Sequence, residues 1–82
     1  MKIEIPHTAI KKEIPEDYHY LTMDCIGKWW AHKAKPTREL DWEELCWVNS
    51  ETDLYLVSTP ALISKIDWKV RVWKIKDCIV GE

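Results

Sequence analysis

Lys69, Arg71 and Trp73 alternate along WKVRVWKI near the end of the chain. Alternate residues of an extended strand share a face, so an ammonium, a guanidinium and an indole point the same way there. The same residue types gather in DCIGKWWAHKAKP, residues 24–36, where Lys28, Lys33 and Lys35 flank Trp29, Trp30 and His32. The chemistry on offer is recognition of a small nucleotide. A nucleobase stacks on an indole for about 1–3 kcal/mol, and phosphates are held by the lysine point charge or the planar arginine fork. His32 adds a hydrogen bond to base or ribose. The ligand-binding set expected from these patterns is Trp29, Trp30, His32, Lys33, Lys35, Lys69, Arg71 and Trp73. The competing use of the same residues is cross-strand aromatic packing, with lysine stems along the sheet and their heads in water.

Other chemistries find less support. No nucleophile elbow and no HExxH occurs, and His7, His19 and His32 stand in no metal-ligand spacing. His19 and His32 meet across a hairpin in one possible register, where with Asp24 they offer a metal site or an acid–base pair. Glu43 and Glu44 are adjacent and cannot share a face as a carboxylate pair does. The expectation is a protein that is not an enzyme and uses no metal or cofactor. A different surface lies at Glu39, Asp41, Glu43 and Glu44 around Trp42, with Trp47 close by. An aromatic anchor inside a charged rim is the composition of a protein interface, so the alternative function is inhibition of a host enzyme through this acidic surface.

These residues need elements to hold them. Residues 18–35 read as a β-hairpin: YHYLTM, a DCIG turn, then KWWAHKAK. Asp24 suits the first turn position and Gly27 the last, where positive φ is cheap only for glycine. Two registers are open. Without a bulge His19 faces His32 and Tyr20 faces Ala31; with a bulge at Gly27, Tyr20 faces His32 and Thr22 faces Trp30. Trp29 and Trp30 take opposite faces in both, so one enters the core and the other must be covered by a loop, a subunit or a ligand. CWV and LYLVS, separated by NSETD, suggest a second hairpin. Thr59 before Pro60 suggests an N-cap and a turn or two of helix. WKVRVWKI, residues 68–75, reads as the last strand. The short echo between IEIP (3–6) and KEIP (12–15) is too weak to define a repeat, although both segments look extended. The fold class expected is mainly β, or α+β: about five antiparallel strands in hairpins with one short helix.

The 82 residues form a single domain, 1–82, with no room for a second core. Six tryptophans and no phenylalanine supply the bulk, at roughly 150–250 Å² of buried surface for each large aromatic. Three widely spaced cysteines with no CxxC and no secretory leader fit reduced thiols in the cytoplasm. No apolar run has the length of a membrane span. A net charge of −2 argues against general nucleic-acid binding. The charge is nonetheless segregated, acidic over 39–53 and basic over 65–76, and such segments pair within a chain or between subunits.

YLTMDCIGKWWAHKAKP together with the closing WKVRVWKI resembles small accessory proteins encoded by tailed bacteriophages. Asp24, Gly27, Trp29, Trp30, Ala31, Lys35 and Pro36 carry the likeness, while Cys25 and Ile26 replace the usual polar turn residues. The resemblance implies a role in infection, in the cytoplasm of the bacterial host, and action against host defence as a sponge that binds an immune nucleotide without cleaving it. The function expected is therefore sequestration of a small nucleotide-type ligand by a homo-oligomer.

Overall fold

The computed structural model describes residues 1–36, 53–67 and 71–80. Its strands are β1 (Lys2–Glu4), β2 (Lys11–Glu13), β3 (Tyr20–Met23), β4 (Lys28–His32), β5 (Leu54–Ser58) and β6 (Trp73–Lys74). β1 and β2 form one antiparallel pair, and the others form an antiparallel sheet in the order β5-β4-β3-β6. The protein is mainly β, and its helical content among the described residues is two 3₁₀ turns, Pro60–Leu62 and Ile75–Asp77.

The IEIP and KEIP echo is the first hairpin. Lys2 stands opposite Glu13 and Glu4 opposite Lys11, so each flanking pair joins opposite charges across the strands. Its inner residues Ile3, Ile5 and Ile14 are buried. His7 turns the chain at φ 63°, and the Thr8 hydroxyl donates to the Ile5 carbonyl at 2.8 Å.

The second hairpin takes the bulged register, pairing Tyr20 with His32, Leu21 with Ala31, Thr22 with Trp30 and Met23 with Trp29. Asp24 sets it. One carboxylate oxygen accepts the backbone N–H groups of Ile26 and Lys28 at 3.1 and 3.0 Å. The Gly27 N–H donates to the Asp24 carbonyl at 3.0 Å. Gly27 has φ +81°, and a Cβ there would lie 2.8 Å from the Pro60 Cα, so both conformation and space require glycine.

Period-two alternation then divides the hairpin. Leu21, Met23, Trp29 and Ala31 face the core with Ile3, Ile5, Leu56, Ile66 and Ile75. Tyr20, Thr22, Trp30 and His32 face the other way. As expected, Trp29 and Trp30 lie on opposite faces.

Two expected elements differ in detail. Thr59 does not cap a helix: its hydroxyl accepts the Trp29 indole N–H at 2.6 Å, and Pro60–Leu62 forms a single 3₁₀ turn. The last strand is limited, among the described residues, to Trp73–Lys74. Ile75 is buried and begins the second 3₁₀ turn, its N–H donating to the His19 carbonyl at 2.9 Å. That turn carries the chain to the first hairpin, where Ile79 bridges Ile3. The first arm of the expected 46–58 hairpin lies outside the described residues. Among the described residues no helix is long and apolar enough to cross a membrane.

Candidate functional site

The aromatic and basic residues picked out by pattern divide among three places. Trp29 is fully buried, its ring centroid 4.8 Å from that of Trp73. Arg71 lies over the Trp73 ring at 5.3 Å. Trp29 and Trp73 are thus joined in the core side of the sheet, and the chain's own guanidinium occupies the indole. The hollow beside Trp73, about 260 Å³, has Glu4 and Asp77 in its walls, a setting that disfavours a phosphate. Lys69 lies outside the described residues, as do Trp42 and the acidic stretch 39–44.

The second place is the outer face. Trp30 is half-buried, donates its indole N–H to Asp24 at 3.2 Å and meets Tyr55 edge-on at 5.5 Å. His32 is enclosed by the protein. It is 2% exposed, with Thr22 Oγ1 at 2.7 Å from Nε2 and Asp53 Oδ2 at 3.1 Å from Nδ1. A carboxylate only accepts, so the neutral imidazole carries its proton on Nδ1 and takes the Thr22 O–H at Nε2. Burial holds the His32 pKa below the ordinary imidazole value, against the opposing pull of Asp53. Hydroxyl, imidazole and carboxylate stand in the order used for nucleophilic catalysis. Thr22 is 0% exposed, however, so in this arrangement its hydroxyl meets no substrate and the triad serves to join β3, β4 and the start of β5. The register that would put His19 opposite His32 is not the one formed.

Lys33 is engaged as well. Its ammonium sits 3.0 Å from Asp17 and 5.4 Å from the Tyr18 ring centroid. The hydrogen bond between them raises the Lys33 pKa and lowers that of Asp17.

Lys35 belongs to the third place, where basic and aromatic side chains do converge. Pairing of β3 with β6 sets Lys74 directly opposite Tyr20. The bond from Ile75 to His19 then brings Lys76 alongside. A hollow of about 280 Å³ is lined by His19, Tyr20, Lys74 and Lys76. A neighbouring hollow of about 460 Å³ is lined by Tyr20, Lys35, Val72 and Lys74. Among the described residues no carboxylate lines either one. Aromatic face, aliphatic wall and three ammonium groups therefore share one cleft at the β3–β6 edge.

Of the described residues expected from sequence, Lys35 alone lines this cleft. Tyr20, Lys74 and Lys76 were missed as a site, although Lys74 and Lys76 fall in the basic stretch 65–76 and Tyr20 in the hairpin. The signal that unites them is a strand pairing across more than fifty residues, which local spacing does not carry. Comparison with protein-family models, with curated proteins and with solved structures finds no match to this chain.

Proposed function

We propose that the protein binds a small nucleotide-type anion in the Tyr20–Lys74 cleft and holds it without turning it over. The observation that carries this reading is the convergence of Lys35, Lys74 and Lys76 on Tyr20, with no described carboxylate in the lining. A base stacks on the tyrosine ring, and lysines neutralise phosphate as point charges. Binding without turnover is favoured by the burial of Thr22 and His32, the described residues closest to a catalytic arrangement. The likeness of the second hairpin to tailed-phage accessory proteins supports a setting for this activity: sequestration of a nucleotide-derived signal in the cytoplasm of an infected bacterium, by a homo-oligomer.

The test is thermal unfolding of the full chain against cyclic di- and trinucleotides, ADP-ribose derivatives and mononucleotides, with mass spectrometry of the recovered ligand. A ligand at 100 times its Kd stabilises the native state by about 2.7 kcal/mol, which in a domain of this size raises Tm by about 10 °C or more. Lys74→Glu should abolish the shift while leaving the Tm of the free protein in place, because Lys74 is exposed. Absence of any shift across the panel, or a full shift in Lys74→Glu, overturns the site. Recovery of altered ligand overturns binding without turnover.

A further inference from the structure

The two hollows differ in chemistry, and that difference indicates how a ligand lies in them. Both contain Tyr20 and Lys74. The larger adds Val72, the one aliphatic side chain among the described lining residues, together with Lys35. The smaller adds His19 and Lys76 and has no aliphatic wall among the described residues. Small-molecule sites have volumes of roughly 300–1,000 Å³. The larger hollow, at about 460 Å³, reaches that range alone, whereas the smaller, at about 280 Å³, is the size of an annex.

A base needs a flat aromatic face and an apolar wall, which the larger hollow provides. Phosphoryl groups need cations, and Lys74 is placed where the hollows meet. A ligand carrying one phosphate on Lys74 leaves Lys76 facing water. A second phosphate extends into the smaller hollow and meets it. Ammonium groups act as separate point charges, so the row from Lys74 to Lys76 matches a chain of phosphates better than a single one.

We infer that the cleft takes a nucleotide with at least two consecutive phosphates, its base against Tyr20 and Val72 in the larger hollow and its phosphate chain running from Lys74 to Lys76. This inference rests on the reading of the cleft as a nucleotide site. Lys35, a donor with no acceptor capacity, lines the larger hollow and meets an acceptor edge of the base or the ribose oxygens.

Isothermal titration of the full chain with adenosine and guanosine mono- and diphosphates, and with inorganic pyrophosphate, separates the two claims. The diphosphate should bind at least tenfold more tightly than the monophosphate of the same base, and more tightly than pyrophosphate. Lys76→Ala should lower diphosphate affinity to the monophosphate level and change monophosphate affinity by less than twofold. Equal affinity for mono- and diphosphates, or a diphosphate advantage that survives Lys76→Ala, overturns the phosphate-chain assignment and leaves the nucleotide site standing. Pyrophosphate binding as tightly as a nucleoside diphosphate overturns the base subsite. Failure of every nucleotide to bind overturns the site and the inference together.

Discussion

Replacing Gly27 by alanine tests how the tryptophan hairpin is locked to the rest of the fold. Three costs add at this position. An L-residue held near φ +81° loses about 1–2 kcal/mol. The new Cβ would lie 2.8 Å from Pro60 Cα and 2.9 Å from both Pro60 N and Thr59 C. All three are backbone atoms, so no rotamer change relieves the contact and the Thr59–Pro60 segment must withdraw. Withdrawal breaks the 2.7 Å bond from the Thr59 N–H to the Gly27 carbonyl, for about 0.5–1.5 kcal/mol. It also pulls the Thr59 hydroxyl from the Trp29 indole, leaving a buried donor short of its acceptor at about 1–3 kcal/mol. The expected loss is about 2.5–6.5 kcal/mol, a large share of the roughly 4–12 kcal/mol that a chain of this length possesses. Urea unfolding followed by tryptophan fluorescence measures it directly. Ile26→Ala, one residue earlier and 52% exposed, is the control and should stay within about 0.5 kcal/mol. A loss below about 1 kcal/mol in Gly27→Ala would show that the turn yields freely, and the argument for a locked hairpin would fail.

The buried triad gives two further tests. Thr22→Val keeps the shape but leaves His32 Nε2 without its donor, so urea unfolding should show a loss of about 1–3 kcal/mol, with Thr22→Ser close to the parent; equal stability of all three refutes the bond's contribution. For pH, the folded His32 pKa lies below the unfolded value, mainly through burial, so the unfolded chain takes up this proton first. The contribution is complete above about pH 6.5 and is lost as pH falls from there through the lower folded value. Tm measured from pH 7.5 to 5 should decline over that window, with a shallower decline in His32→Gln; equal slopes in the two proteins refute the assignment.

What could be read from sequence was local. The Asp24–Gly27 turn and the opposite faces of Trp29 and Trp30 follow from turn chemistry and period-two alternation, both confined to neighbouring residues. The register depended on whether Gly27 adds a bulge, and the structure shows that it does, through an Asp24 carboxylate holding two backbone N–H groups. Non-local pairings decided the rest. Trp29 bonds Thr59 thirty residues away, which converts an expected helix cap into a core acceptor. His32 reaches Asp53, so a polar residue expected to meet a ligand is instead satisfied inside. Trp73 was expected on an open basic face, but cross-strand pairing with Leu21 turns it toward Trp29.

The same geometry explains why, among the described residues, the aromatic that lines the basic hollows is a tyrosine. A domain of this size hides only about 60–65% of its unfolded surface, and its largest side chains are needed inside. Trp29 is wholly enclosed and Trp73 packs on it. Trp30, on the opposite face, is tied to the turn by Asp24. Each indole has one N–H, and those of Trp29 and Trp30 are committed to protein oxygens. Tyr20 lies at the far end of β3 from the turn, on the face away from the core, where the two-residue β6 places Lys74 across from it. Ile75 is buried at the start of the 3₁₀ turn Ile75–Asp77, and Lys76 lines the same hollow as Tyr20 and Lys74. Lys74 and Lys76, two residues apart, thus bring two ammonium groups to Tyr20.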